Sequence, residues 1–274
     1  MINIKQRYLV CDISLCHDCN CCFIACKDEH VDNDWQPYTQ MQPRHGHRWM
    51  NILRTERGQY PRIDVAYLPM PCQHCADAGC LKANPGCVHR REDGVVLIDA
   101  ESARGNRALV DSCPYGAIYW NEEAGVAQKC TMCAHLLDDA RSEVKAPRCA
   151  HSCPTGALEY FYMEPSEMDR MIEEEALCCY RPELCGGKAN VYYKNLYRFT
   201  KLFIAGGLLK DGECAEGIAV ALSGADTQLA QISDCFGDFK FDGLEPGEYT
   251  VSIDGSPVKT VEIAESTNIG SIIL

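Results

Sequence analysis

The sequence predicts an α+β protein in two parts, a cysteine-rich metal-binding region followed by a small β-sandwich over residues 200–274. Three observations predict this. Twenty of the 274 residues are cysteine, and fifteen of them lie before residue 154 while only two follow residue 200. The cysteines recur in runs, two of which close on a Cys-Pro pair, as in CPYGA (113–117) and CPTGA (153–157). Beyond residue 200 the composition changes to short apolar or alternating runs separated by turn dipeptides.

Cysteine this dense serves either a disulfide scaffold or a metal. Disulfide scaffolds belong mostly to small secreted domains, whereas the opening MINIKQRYLVCDI carries no apolar h-region, twin arginine or small-residue cleavage site. No window approaches 18 uninterrupted apolar residues, which argues against membrane insertion. A formal charge of −13 and a pI near 5.0, with no Lys/Arg cluster, argue against nucleic acid and anionic membrane as partners. The expectation is a soluble cytoplasmic protein whose thiolates are kept for metal.

The run CHDCNCCFIAC places Cys16, Cys19, Cys22 and Cys26 at C-x2-C-x2-C-x3-C spacing. This is the bacterial ferredoxin spacing for [4Fe–4S] clusters, in which three cysteines wrap one cluster and the fourth ligates the other of a pair. CQHCADAGC repeats the triad as Cys72, Cys75 and Cys80, with a longer second gap. CTMC with the later PRCAHSCP gives Cys130, Cys133 and Cys149, then the closing Cys153.

One repeat is empty. Stepping back from Cys113 by the repeat spacing lands on Leu109, Asn106 and Ala103, and the closing position of the second repeat is Asn84, followed by Pro85. If closing ligands are exchanged between paired repeats, these four positions belong to one cluster, lost as a unit. The remaining cysteines then close into three sets of four. Cys16, Cys19, Cys22 and Cys153 are expected to hold one cluster, Cys26, Cys130, Cys133 and Cys149 a second, and Cys72, Cys75, Cys80 and Cys113 a third.

Four-cysteine zinc sites also use CxxC pairs, so a zinc-stapled interaction module is the alternative of a different class. The Cys-Pro-x-Gly-Ala closures and the x2-x2-x3 run suit ferredoxin geometry better than knuckle spacing. Cys11 and Cys21 read as thiols packed near the clusters, and Cys178, Cys179 and Cys185 as ordinary thiols. Cys87 has no triad left to serve. His17, His74, His135 and His151 stand beside ligands, where such groups hydrogen-bond to cluster sulfurs or backbone and tune potential.

Between the two parts, EPSEMDRMIEEEA (164–176) reads as a helix with Ser166 and Asp169 at capping-box spacing. Residues 178–199 read as a connector along the surface. The stretch 31–71, with Trp35, Trp49, Arg44 and Arg48, reads as an insert in the iron–sulfur region. Its aromatic residues suit either a subunit interface or packing over the clusters. In the tail, seven short strands are predicted, broken by DG, SG, DG and PG turns. FGDFKFDGLEPGEYTV (236–251) resembles the transthyretin-like and carboxypeptidase-regulatory-like modules, which implies docking or support rather than catalysis.

The chain shows no GxGxxG and no arranged nucleophile, base and orienting group, so no catalytic residue is expected. A row of clusters passes single electrons. CQHCADAGC, REDGVVLID (91–99), CPYGAIYWNEE (113–123) and KCTMCAHLLDD (129–139) resemble the iron–sulfur subunits of the dimethyl sulfoxide reductase family of molybdenum and tungsten enzymes. The lost cluster, the β-sandwich tail, HGHRWMNI (45–52) and VYYKNLYRF (191–199) narrow the resemblance to its transhydroxylases of polyhydroxylated phenols. The resemblance implies a heterodimer with a large catalytic subunit that carries a Mo or W bis-molybdopterin guanine dinucleotide centre. Related anaerobic phenol or resorcinol hydroxylases, and respiratory subunits that feed a membrane anchor, are the neighbouring alternatives.

Overall fold

The computed structural model describes residues 4–224 and 226–274. The first three residues of the opening stretch read for a leader lie outside it. Among the described residues no helix is long and apolar enough to cross a membrane. The chain divides into two compact units, residues 1–53 with 67–196, and residues 54–66 with 197–274.

The first unit is built around strand Gln6–Asp12, which pairs antiparallel with Leu158–Met163 and parallel with Val191–Lys194. Side chains alternate across this strand. Tyr8 and Val10 pack with Met168, Leu177 and Tyr192, while Leu9 and Cys11 are fully buried. Within residues 178–199, the stretch 189–193 is buried rather than on the surface. VYYK (191–194) is a buried edge strand of this sheet, and Tyr193 is fully buried with its hydroxyl donating to the Pro69 carbonyl at 3.1 Å. Around this sheet the unit consists of loops, three-residue strands and short helices, among them Gly79–Ala83, Ala134–Asp138 and Arg148–His151.

The expected helix is present as Pro165–Glu174, but its cap is shifted. Glu164, not Ser166, is the N-cap, and Glu167 completes the capping box by accepting from the Glu164 amide at 2.9 Å. Pro165 at the first helical position sets this start, because its fixed φ suits N1 and its missing N–H costs nothing there.

The second unit contains all seven tail strands and one more. Leu202–Lys210 pairs with Glu213–Cys214, Asp238–Leu244 and, in parallel, Thr267–Ile273. A second sheet runs Gln228–Ile232, Ala219–Ser223, Gly247–Ile253, Ser256–Ile263. The two-residue Glu213–Cys214 is too short and polar to carry a pattern. Ile204, Leu208, Phe239 and Phe241 of one sheet share a core with Val220, Leu222, Val251 and Ile253 of the other. Residues 54–66, the tip of the hairpin Met50–Gln59/Arg62–Pro71, belong to this unit rather than to the iron–sulfur region. Arg57 holds them there, donating to Asp64, to Asp242 at 2.9 Å and to the Lys201 carbonyl at 2.8 Å. Gly58, at φ 85°, lies where a Cβ would meet the Arg62 carbonyl and the Phe203 ring.

Candidate metal centres

The CxxC pair that opens each filled repeat shares one backbone feature. The residue before the second cysteine is left-handed in all three, Asp18 at φ 55°, His74 at 46° and Met132 at 54°. Such a turn points successive amides inward, a concavity that suits an anionic group and recurs at iron–sulfur sites. Met132 donates its amide to Cys130 Sγ at 3.3 Å, and after the closing Cys-Pro pair Ala117 donates to Cys113 Sγ at 3.4 Å.

The fold brings many of the thiols close to one another. Cys22 is pushed up to about 12 by burial, then by Cys16, Cys153 and Cys19. Cys26 is raised far above the ordinary thiol range by burial, then by Cys130 and Cys133; Cys149 follows through burial and then Cys133, Cys130 and Cys26. Cys80 is pushed up to about 11 by burial, then by Cys72 and Cys113, and Cys75 is raised by burial and by Cys72, Cys185, Cys113 and Cys80. Cys153 runs the other way. Burial would raise it, but the Thr155 hydroxyl and the amides of Leu158, Thr155 and Ala157 hold it below the usual range. Packing several thiols this closely is uphill without a cation, and a metal reverses that balance by deprotonating its ligands.

The third set fits a cluster on two further observations. Cys72, Cys75, Cys80 and Cys113 all line one cavity with His74, Val96, Ile118 and Lys129. Within its wall His74 is fully buried, and its Nδ1 accepts from the Val96 amide at 3.0 Å. The ring is held neutral by burial and by the nearby Lys129 and Arg90 cations, so its proton sits on Nε2, which has no protein partner. A buried donor left open in a thiol-lined cavity matches sulfur acceptors.

Lys129 is 3 % exposed and donates to the carbonyls of Val96 and, at 3.1 Å, Cys130. Its charge draws down the thiols of Cys80, Cys113 and Cys130. Sequence reading passed over this residue, whose only signal was a basic side chain directly before CTMC.

Around the second set the insert supplies aromatic cover. Trp49 is 2 % exposed and meets the His30 ring edge-on, and Trp35 stacks on His135 with centroids 4.3 Å apart. His30 Nδ1 donates to the Cys26 carbonyl at 2.9 Å, and His135 Nε2 reaches Glu29 at 3.0 Å. The two tryptophans thus pack on histidines that lie close to ligand candidates in sequence. Trp49 Nε1 and the Thr131 hydroxyl are also buried without a protein partner.

The other candidates differ. Cys11 is fully buried beside Cys22, Cys16 and Cys153, as expected, but Cys21 is exposed beside Cys19 rather than packed. Cys179 and Cys185 are buried in the core next to Tyr8 and Tyr192, and Cys178 is exposed. His17 and His151 are exposed, His151 beside Arg148. Among the described residues no group of three or more His, Cys, Asp or Glu side chains closes around a single ion.

Comparison with known proteins agrees with this geometry. Residues 63–162 match the family model for a 4Fe-4S dicluster domain. The chain is 52% identical to the pyrogallol hydroxytransferase small subunit of Pelobacter acidigallici over 92% of its own length and 91% of that protein's. It belongs to the pyrogallol hydroxytransferase small-subunit family. That family has wider kin. This protein is 34% identical to one of the polypeptides of Escherichia coli anaerobic dimethyl sulfoxide reductase, over 54% of its own length and 70% of that polypeptide's. It is 30% identical to the thiosulfate reductase electron transfer subunit of Salmonella typhi, over 62% of its own length and 83% of that subunit's. The small-subunit family is thus a branch of iron–sulfur subunits.

Proposed function

We propose that this chain is the electron-transfer subunit of a heterodimeric molybdopterin enzyme, holding three [4Fe–4S] clusters. Cys16, Cys19, Cys22 and Cys153 hold one, Cys26, Cys130, Cys133 and Cys149 another, and Cys72, Cys75, Cys80 and Cys113 the third. The observation that carries this reading is the convergence of Cys72, Cys75, Cys80 and Cys113 on one cavity, with Cys22 and Cys149 likewise buried among other thiols, an arrangement that a cationic metal group favours. The clusters supply one-electron storage. The chain's own part is to orient them, exclude water with buried side chains such as Trp49, and tune them through Lys129 and His74.

Kinship with a hydroxytransferase small subunit supports a large cytoplasmic partner with a Mo or W bis-molybdopterin guanine dinucleotide centre. On this reading the partner moves a hydroxyl between polyhydroxylated phenols, pyrogallol to phloroglucinol, and the C-terminal unit is a transthyretin-like sandwich that docks on it. Elemental analysis of protein purified natively without oxygen tests the whole. Three clusters require about 12 irons and as many sulfides per chain, from three sites of four. One Mo or W per heterodimer is expected beside them. Zinc without iron would replace the relay with an interaction module.

A further inference from the structure

The empty repeat keeps one backbone feature of the cluster loops. Gly105, the residue before position 106, is left-handed at φ 76°, the counterpart of Asp18, His74 and Met132 in the three filled loops. The four vacated positions still converge. Asn106 Nδ2 donates to Asn84 Oδ1 at 2.9 Å, and Asn84 donates to the Cys80 carbonyl at 3.3 Å. Ala103 and Leu109 are both fully buried, in one apolar body with Cys80, Cys87, Val88, Ile98 and Ile118, against which Cys75 and Cys113 also pack. Residues 101, 102, 104, 105 and 107 of the same loop are exposed. An apolar layer thus stands between the third thiol set and this face of the unit.

We propose that Asn84, Ala103, Asn106 and Leu109 form an insulating plug in a preserved [4Fe–4S] site, ending the electron relay at the Cys72/Cys75/Cys80/Cys113 centre. The proposal rests on the three-cluster reading above. Its logic is that tunnelling falls off exponentially with distance. A cluster at these positions would carry electrons to the surface, while hydrocarbon and an amide pair leave them inside. A reaction that moves a hydroxyl with no net electrons has nothing to export through this face.

The test restores the ligands in the full-length chain as N84C/A103C/N106C/L109C, assembled anaerobically with iron and sulfide. The variant is expected to gain about four irons over wild type and a new reduced-state EPR signal coupled to its neighbour. A ruthenium photosensitiser attached at Arg104 through a genetically encoded azide then reads electron entry, one electron lost by the sensitiser for one gained by a cluster. Injection should be at least tenfold faster in the variant than in wild type. If the four-site variant fails to fold, A103C/N106C/L109C should gain about three irons, as a site short of one ligand holds [3Fe–4S]. Failure of both to fold, or folding without added iron, overturns the preserved site. Added iron with unchanged injection overturns the insulation. Wild-type chain with about 16 irons removes the plug itself, and wild-type chain with zinc and no iron removes the underlying reading instead.

Discussion

Single residues around the thiols set what the relay can do. Lys129 places a buried ammonium against Cys80, Cys113 and Cys130, and positive charge stabilises the reduced cluster. Lys129→Met removes it at similar length. A unit charge at roughly 8 Å in an effective dielectric of about 20 is worth on the order of 2 kcal/mol, or about 90 mV for one electron. Redox titration followed by EPR should show the nearest cluster shifted negative by tens of millivolts, and an unchanged midpoint would leave Lys129 a packing residue. Ligand membership is read the same way. Cys113→Ser should cost one cluster, leaving about 8 irons, whereas Cys87→Ser, beside the plug, should keep about 12. Loss of iron in both would mean that Cys87 has taken over a ligand's place.

At the scale of elements, the cysteine loops were legible because ligand spacing is local. The pair that opens each filled repeat carries a left-handed residue between its thiols, and the seven tail strands showed through their short apolar or alternating runs. Elements that depend on distant partners were not legible. VYYK becomes a buried edge strand only because Gln6–Asp12 lies alongside it, more than 180 residues away in sequence. The 54–66 hairpin reads as an insert until Arg57 is seen to pair with Asp242, 185 residues on. That pairing carries its own prediction. The Arg57 side chain is 6 % exposed between Asp64 and Asp242, and breaking a buried pair leaves charges uncompensated. Arg57→Ala should destabilise the second unit by about 3 kcal/mol, seen as faster amide exchange in 202–210 and 238–244. Burial alone would raise the Asp64 and Asp242 carboxyls, but hydrogen bonds and charge from Lys240 and Arg57 hold both below the usual range. Their contribution is therefore complete above the ordinary carboxylate pKa of about 4 and fades as pH falls below it. Protection that stays flat between pH 5 and about pH 2 would contradict this.

For the molecule as a whole, the two units are stabilised by different physics. The second unit carries an apolar core drawn from its own two sheets. The first devotes long stretches, 72–87 and 103–153, to loops and three- to five-residue elements whose most buried side chains include thiols. A metal group that cross-links such loops contributes its binding free energy to folding. Iron removal should consequently unfold locally rather than globally. Anaerobic chelation followed by hydrogen exchange is expected to strip protection from residues 16–26, 72–87 and 103–153. Strands Leu202–Lys210, Asp238–Leu244 and Gly247–Ile253 should stay protected. Protection kept in the cysteine loops after the iron has gone would show that apolar packing, not metal, holds them. Protection lost in the tail as well would show that the second unit depends on the clusters for its own stability.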